Sequence, residues 1–117
     1  MTMTAQKFQL IDRETLKAKL DKKEKFQLWN VLSKEYHKAD ANIAGSRWIP
    51  HDEINERLAA QFVPSKDETI VTYCGGGECK ASKMAAEKLA QLGYTNVFAY
   101  EGGLKDWSEA GLPLVKI

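Results

Sequence analysis

The sequence predicts an α/β fold, with a mostly parallel central sheet of about five strands and helices on both faces. Two observations predict it: strand-like segments alternate with helix-patterned segments along the whole chain, and the connections between them are short. A third observation locates the chemistry. The strongest strand candidate runs into "YCGGGECK", and in such sheets sites form beyond the carboxyl ends of strands.

Each element has its own warrant. "FQLI" (residues 8–11) is short and apolar, and Asp12 after it suits the N-cap of a helix running to about residue 20. "FQLWNVL" (26–32) reads as a second strand, followed by a helical turn over 33–37. "SRWIP" (46–50) is short and extended, stopped by its proline. In "HDEINERLAAQF" (51–62), Ile54, Leu58 and Phe62 recur at four-residue spacing, which predicts a helix with one buried face and His51 at its N-cap. "ETIVTYC" (68–74) is rich in β-branched and aromatic residues and predicts a buried strand. A helix is predicted over about 80–92, with Met84, Ala85, Leu89 and Leu92 on one face and Gly93 as its left-handed stop. "NVFAY" (96–100) is a strand, "GLKDWSEA" (103–110) a last short helix, and "LPLVKI" a tail placed to pair at an edge.

No repeat, low-complexity segment or linker interrupts this order, so residues 1–117 read as a single domain. Hydrophobic residues at 44% and charged residues at 28% provide for an ordinary packed core. With 17 basic against 16 acidic residues, net +1, the chain offers no electrostatic basis for a nucleic-acid or membrane partner. No apolar run approaches a membrane span, and "MTMTAQKF" lacks the layout of a signal peptide, so a cytoplasmic protein is expected. Cys74 and Cys79 are too few and too close for a disulfide scaffold and are expected to start as thiols.

Gly75, Gly76 and Gly77 let the backbone curl with its amides pointing inward, and the following helix adds its positive end. Both stabilise an anion, whether thiolate or bound oxyanion, and can lower a thiol pKa from about 8.5 by one or more units. Lys80 adds a cation at the rim. Glu78 opposes this if it points inward and is harmless if it points outward. The loop alone leaves two readings of Cys74: an activated nucleophile, or a small buried hydrophobe. A phosphate-binding loop is excluded, because no Gly-Lys-Ser/Thr follows the glycines. Cys74, Cys79, His37 and His51 lack the paired spacings of a zinc site, so neither metal nor cofactor is expected.

The order of motifs resembles a rhodanese-homology domain. The resemblance rests on the strand running through Cys74 into a helix with Ala85-Ala86, on "LGYTNVFAYEGGLKDW", on "ID-x-x-x-L" at 11–16, and on Val31, Glu35, Tyr36, Ile43, Gly45, Ile49 and Pro50. It implies a sulfurtransferase. Cys74 would carry sulfane sulfur as a persulfide, within a substrate- and anion-binding loop of Gly75, Gly76, Gly77, Glu78, Cys79 and Lys80. The implied partners are a small sulfur donor such as thiosulfate and a thiol acceptor or sulfur-relay protein. Oligomeric state stays open.

Several positions depart from that pattern. Cys79 stands where the common loop carries arginine, Asn30 where it has a strand-end aspartate, and Leu32 where it has another arginine. Lysine neutralises an anion but does not clamp it bidentately, which disfavours thiosulfate as donor. Cys79 has two readings, a resolving thiol for Cys74 or a small residue packed under the helix. Arg47 is either a mouth residue or a solvated surface arginine. His37 and His51 read as local structural residues, and Trp48 and Trp107 as core or edge aromatics. Two alternative functions remain: a thiol redox or oxyanion-handling enzyme using the Cys74/Cys79 pair, and a non-catalytic binding or regulatory module.

Overall fold

The computed structural model describes residues 8–76 and 79–116. Five strands form one sheet: β1 (Phe8–Leu10), β2 (Gln27–Asn30), β3 (Arg47–Trp48), β4 (Ile70–Tyr73) and β5 (Val97–Tyr100). Their spatial order is β1-β5-β4-β2-β3, and every adjacent pair is parallel, as the alternating pattern predicts. Four α-helices are α1 (Arg13–Asp21), α2 (Glu56–Phe62), α3 (Ala81–Gln91) and α4 (Gly103–Glu109). Among the described residues no helix is long and apolar enough to cross a membrane.

Side-chain alternation sorts the central strands between two apolar layers. Ile70, Val97 and Ala99 pack with Ala59 of α2 and with Ala85, Ala86 and Leu89 of α3. Val71, Tyr73 and Tyr100 pack on the other face with Leu16 of α1 and Trp107 of α4. β4 is therefore buried on both faces, which is why its sequence reads as a continuous apolar run. Each wholly buried aliphatic side chain in these layers contributes about 1.5–3 kcal/mol. The two α3 alanines have little bulk, which lets the helix lie close to β4 just past the cysteine.

The start of α1 is as expected: Asp12 accepts a hydrogen bond from the Thr15 N–H at 2.8 Å, and the Thr15 side chain together with that N–H holds its carboxyl below the usual aspartate value. Gly93 adopts φ +106 after α3. Three expectations need correction. Residues 51–62 are not one helix. A 3₁₀ turn at His51–Glu53 gives way to extended Ile54, and Asn55, not His51, caps α2 by accepting from the Leu58 N–H at 2.8 Å. The Asn55 side chain competes with the helical backbone and restarts the helix one turn later. Met84 is 52% exposed, so the buried face of α3 is Ala81, Ser82, Ala85, Ala86 and Leu89. The tail does pair, but through an antiparallel bridge of Val115 to Asn42 in a loop, not at a sheet edge.

Candidate active site

Cys74 follows the last residue of β4, at the carboxyl end of a strand flanked by β2 and β5. It is wholly buried. The loop after it is held by the start of α4, whose amides would otherwise lack intrahelical partners. Leu104 N–H donates to the Cys74 carbonyl at 3.0 Å and Lys105 N–H to the Gly75 carbonyl at 2.9 Å. Cys79 N–H donates to the Gly76 carbonyl at 3.1 Å. Beneath the site, the Thr72 hydroxyl donates to the Ser82 carbonyl at 2.7 Å, fixing the first turn of α3 to β4.

Two glycines make this approach possible. Gly76 has φ +93, and a Cβ there would stand 2.0 Å from the Gly102 carbonyl oxygen. Gly103 has φ +60, and a Cβ there would stand 2.4 Å from the Cys74 oxygen and 2.6 Å from the Gly76 nitrogen. Both contacts are with backbone, which cannot swing aside as a side chain can.

Electrostatics at the sulfur differ from expectation. Burial pushes the Cys74 thiol pKa above its ordinary value, and the neighbouring Cys79 thiol adds to that rise. The backbone N–H groups of Gly76 and Ser82 pull the other way, as inward amides should, but they are outweighed. The amides were legible in the glycines. The loss of water around Cys74 was not, because side chains from several elements enclose it.

The loop opens on a cavity of about 780 Å³ lined by Leu32, Tyr36, Lys38, Ala41, Gly75, Cys79 and Leu104. Half-buried Cys79 thus lies at the mouth, while wholly buried Cys74 adjoins the lining residue Gly75 in sequence. Leu32, Tyr36, Lys38, Ala41 and Leu104 join the site without a local sequence motif that marks them. The usable signal is topological: Leu32 closely follows β2 and Leu104 lies beyond β5, the strands flanking β4.

Two other predicted residues lie elsewhere. Lys80 is exposed at the start of α3 and lines a separate groove with Phe8, Leu10 and Lys83. The Arg47 guanidinium sits 4.5 Å from the centre of the Phe62 ring, beside a cavity of about 610 Å³ that it shares with His37 and Trp48. Gly77 and Glu78 lie outside the described residues.

A buried polar network shapes the lip of the mouth. Asn30 donates from Nδ2 to Asn42 Oδ1 at 2.8 Å and accepts from the Leu32 N–H at 3.1 Å. Asn42 Nδ2 donates to the Ala39 carbonyl at 2.9 Å, and His37 Nε2 lies 3.1 Å from Asn42 Oδ1. His37 stacks on Trp48 at 4.0 Å, and Trp48 Nε1 donates to the Leu32 carbonyl at 2.8 Å. His37 thus has the local structural role expected of it. An aspartate at position 30 would turn a carboxylate oxygen toward the Asn42 oxygen in a fully buried position. Asn30→Asp is expected to destabilise the fold by about 2 kcal/mol at pH 7. Burial raises such a carboxyl pKa, so the lost stability should return as pH falls and the group takes up a proton. Thermal melts of the variant between pH 7 and pH 5 check both parts.

Residues 12–110 match the rhodanese-like domain family. The chain belongs to the rhodanese-like family. Its structural neighbours share the fold: a Bacillus halodurans protein of known crystal structure has TM-score 0.81 at 28% identity, over 92% of this chain and 77% of that one. The rhodanese-like domain of an Anabaena sp. protein, solved in solution, has TM-score 0.75 at 27% identity, over 92% and 79%. A Synechococcus elongatus protein proposed by its name to be a thiosulfate sulfurtransferase is 27% identical over 90 residues, 74% of this chain. This rhodanese-like chain spans 27% of the length of that relative.

Proposed function

We propose that this rhodanese-like chain is a sulfurtransferase that carries sulfane sulfur as a persulfide on Cys74. One observation carries the reading: a buried thiol follows the central strand next to Gly75, which with Cys79 lines an open cavity, and the Gly76 and Ser82 backbone amides favour its anion. The Cys74 thiolate attacks the sulfane sulfur of a donor. With thiosulfate, the donor S–S bond breaks and its electron pair leaves on sulfite. An acceptor thiolate or cyanide then attacks the terminal sulfur, and the pair returns to Cys74. Fixed amides suit both steps, since each places negative charge at the loop.

The mouth favours an organic partner. Its lining is largely apolar with Lys38 as the single cation among its described residues, so it fits a sulfur donor or thiol acceptor borne on an apolar group, including a protein cysteine. No nucleic-acid partner is proposed. Two free thiols suit a reducing cytoplasmic setting, with residues 1–117 acting as one domain.

The test is thiocyanate formation from thiosulfate, or from a small organic persulfide, with cyanide as acceptor. Turnover should be measurable and faster with the organic donor; absence of turnover with both donors contradicts the proposal. The raised Cys74 pKa adds a pH dependence. Only the thiolate attacks, so below that pKa loading should accelerate about tenfold per pH unit. The rise should continue past the ordinary thiol value of about 8.5. A loading rate already level at pH 7 would contradict the burial argument.

A further inference from the structure

We infer that Cys79 is a second reacting thiol, which resolves the Cys74 persulfide into a Cys74–Cys79 disulfide and expels the sulfane sulfur as hydrosulfide. The inference rests on the reading of Cys74 as sulfur carrier and adds a sulfide-releasing activity to it.

The placement of the two thiols supports this. The Cys79 N–H donates to the Gly76 carbonyl, which ties Cys79 to the residue two places after Cys74. Cys79 packs against the same apolar layer in which Cys74 is buried, near enough to help push the Cys74 thiol pKa up. Both cysteines are free. They differ in exposure: Cys74 is wholly buried, whereas half-buried Cys79 lines the cavity beside Gly75.

The step balances within the loop. The Cys79 thiolate attacks Cys74 Sγ, the inner sulfur of the persulfide. A bond forms between the two cysteine sulfurs, the bond from Cys74 Sγ to the sulfane sulfur breaks, and its electron pair leaves as HS⁻. The sulfane sulfur is reduced by two electrons and the two cysteines are oxidised by two. No external oxidant enters. A dithiol reductant afterwards returns both cysteines to thiols.

Burial of Cys74 selects the inner sulfur. Attack on the outer sulfur would leave the electron pair on Cys74, where a thiolate has lost its water. Attack on the inner sulfur sends the charge out on a small anion through the open mouth, and the better-stabilised leaving group departs faster. A bulky acceptor in the cavity, which takes the outer sulfur, competes with Cys79 for the same persulfide. The chain therefore transfers sulfur when an acceptor is present and releases sulfide when none is.

The experiment loads reduced wild type, Cys79→Ser, Cys79→Ala and Cys74→Ser with a small organic persulfide, removes the donor, and withholds any acceptor. Released sulfide and intact mass are followed together. Wild type should release sulfide and lose about two hydrogens relative to the reduced chain. Both Cys79 variants should keep the added sulfur, with sulfide release slowed by about tenfold or more. If wild type retains its sulfur as long as the Cys79 variants do, or if they release sulfide at the wild-type rate, the inference fails while the Cys74 persulfide stands. If wild type neither gains sulfur nor forms the disulfide, the reading of Cys74 fails, and the inference with it.

Discussion

Cys74→Ser should leave a folded protein whose sulfurtransferase turnover falls by about 10³-fold or more. A hydroxyl ionises far less readily than a thiol, and a serine cannot hold a sulfane sulfur as a persulfide. The substitution is nearly isosteric, and the Gly76 and Ser82 amides that favour a thiolate there also suit a hydroxyl oxygen. Its stability cost should therefore stay near about 1 kcal/mol, so lost activity cannot be put down to unfolding. Thermal midpoint and thiocyanate formation measured on one preparation separate the two effects. A variant that melts like wild type and still turns over would remove Cys74 from the chemistry.

The largest stability effect is expected from the glycine junction between the Cys74 loop and α4. Gly103→Ala would force a methyl group to 2.4 Å from the Cys74 carbonyl oxygen, and Gly76→Ala would bring one to 2.0 Å from the Gly102 oxygen. Each also places a side chain at positive φ, where only glycine is unstrained. Either change should cost about 3 kcal/mol or more, because the clash is with backbone and strain adds to it. Activity should fall as well, since relief requires the Leu104 and Lys105 amides to leave the Cys74 and Gly75 carbonyls. Gly45→Ala is the control: it too has positive φ, but its Cβ would meet nothing within 4 Å. It should lose only the conformational term, about 1 kcal/mol. Denaturant melts of the three variants should rank Gly45→Ala well above the other two.

Local chemistry was legible where it decides local structure. Asp12 before an apolar-periodic run marked the start of α1, and the β-branched run ending at Tyr73 marked the central strand. Gly93 marked the end of α3. From that alternation the parallel sheet followed, and from the sheet the place of Cys74 at a strand end. The break at Asn55 was hidden because four-residue spacing reports a shared face, not whether one helix carries it. Ile54, Leu58 and Phe62 do pack into one apolar layer, from two elements. Met84 misled in the same way: β1 is short and at the edge of the sheet, so the side chain next to it is left half-covered.

The site was legible in its loop and not in its surroundings. Glycines announce inward amides, and the Gly76 amide does pull the Cys74 thiol pKa down, though burial outweighs it. The residues that line the mouth come from the loop after β2 and from α4, and only the strand order brings them together. The same long-range packing removes water from Cys74 and reverses the expected direction of its pKa. Lys80 shows the complementary limit. It is close to Cys74 in sequence but sits where α3 turns it toward the groove beside β1, while Lys38, far off in sequence, reaches the mouth.

The central claim is that Cys74 holds sulfane sulfur covalently, and intact mass tests it most directly. Reduced protein is treated with a small organic persulfide or with thiosulfate, sampled within seconds, and sampled again after cyanide. The account predicts a gain of roughly 32 Da that cyanide removes and that Cys74→Ser never shows. A Cys79→Ser background prevents internal resolution from erasing the signal. An unchanged mass in that background with both donors, or an equal gain in Cys74→Ser, would contradict it.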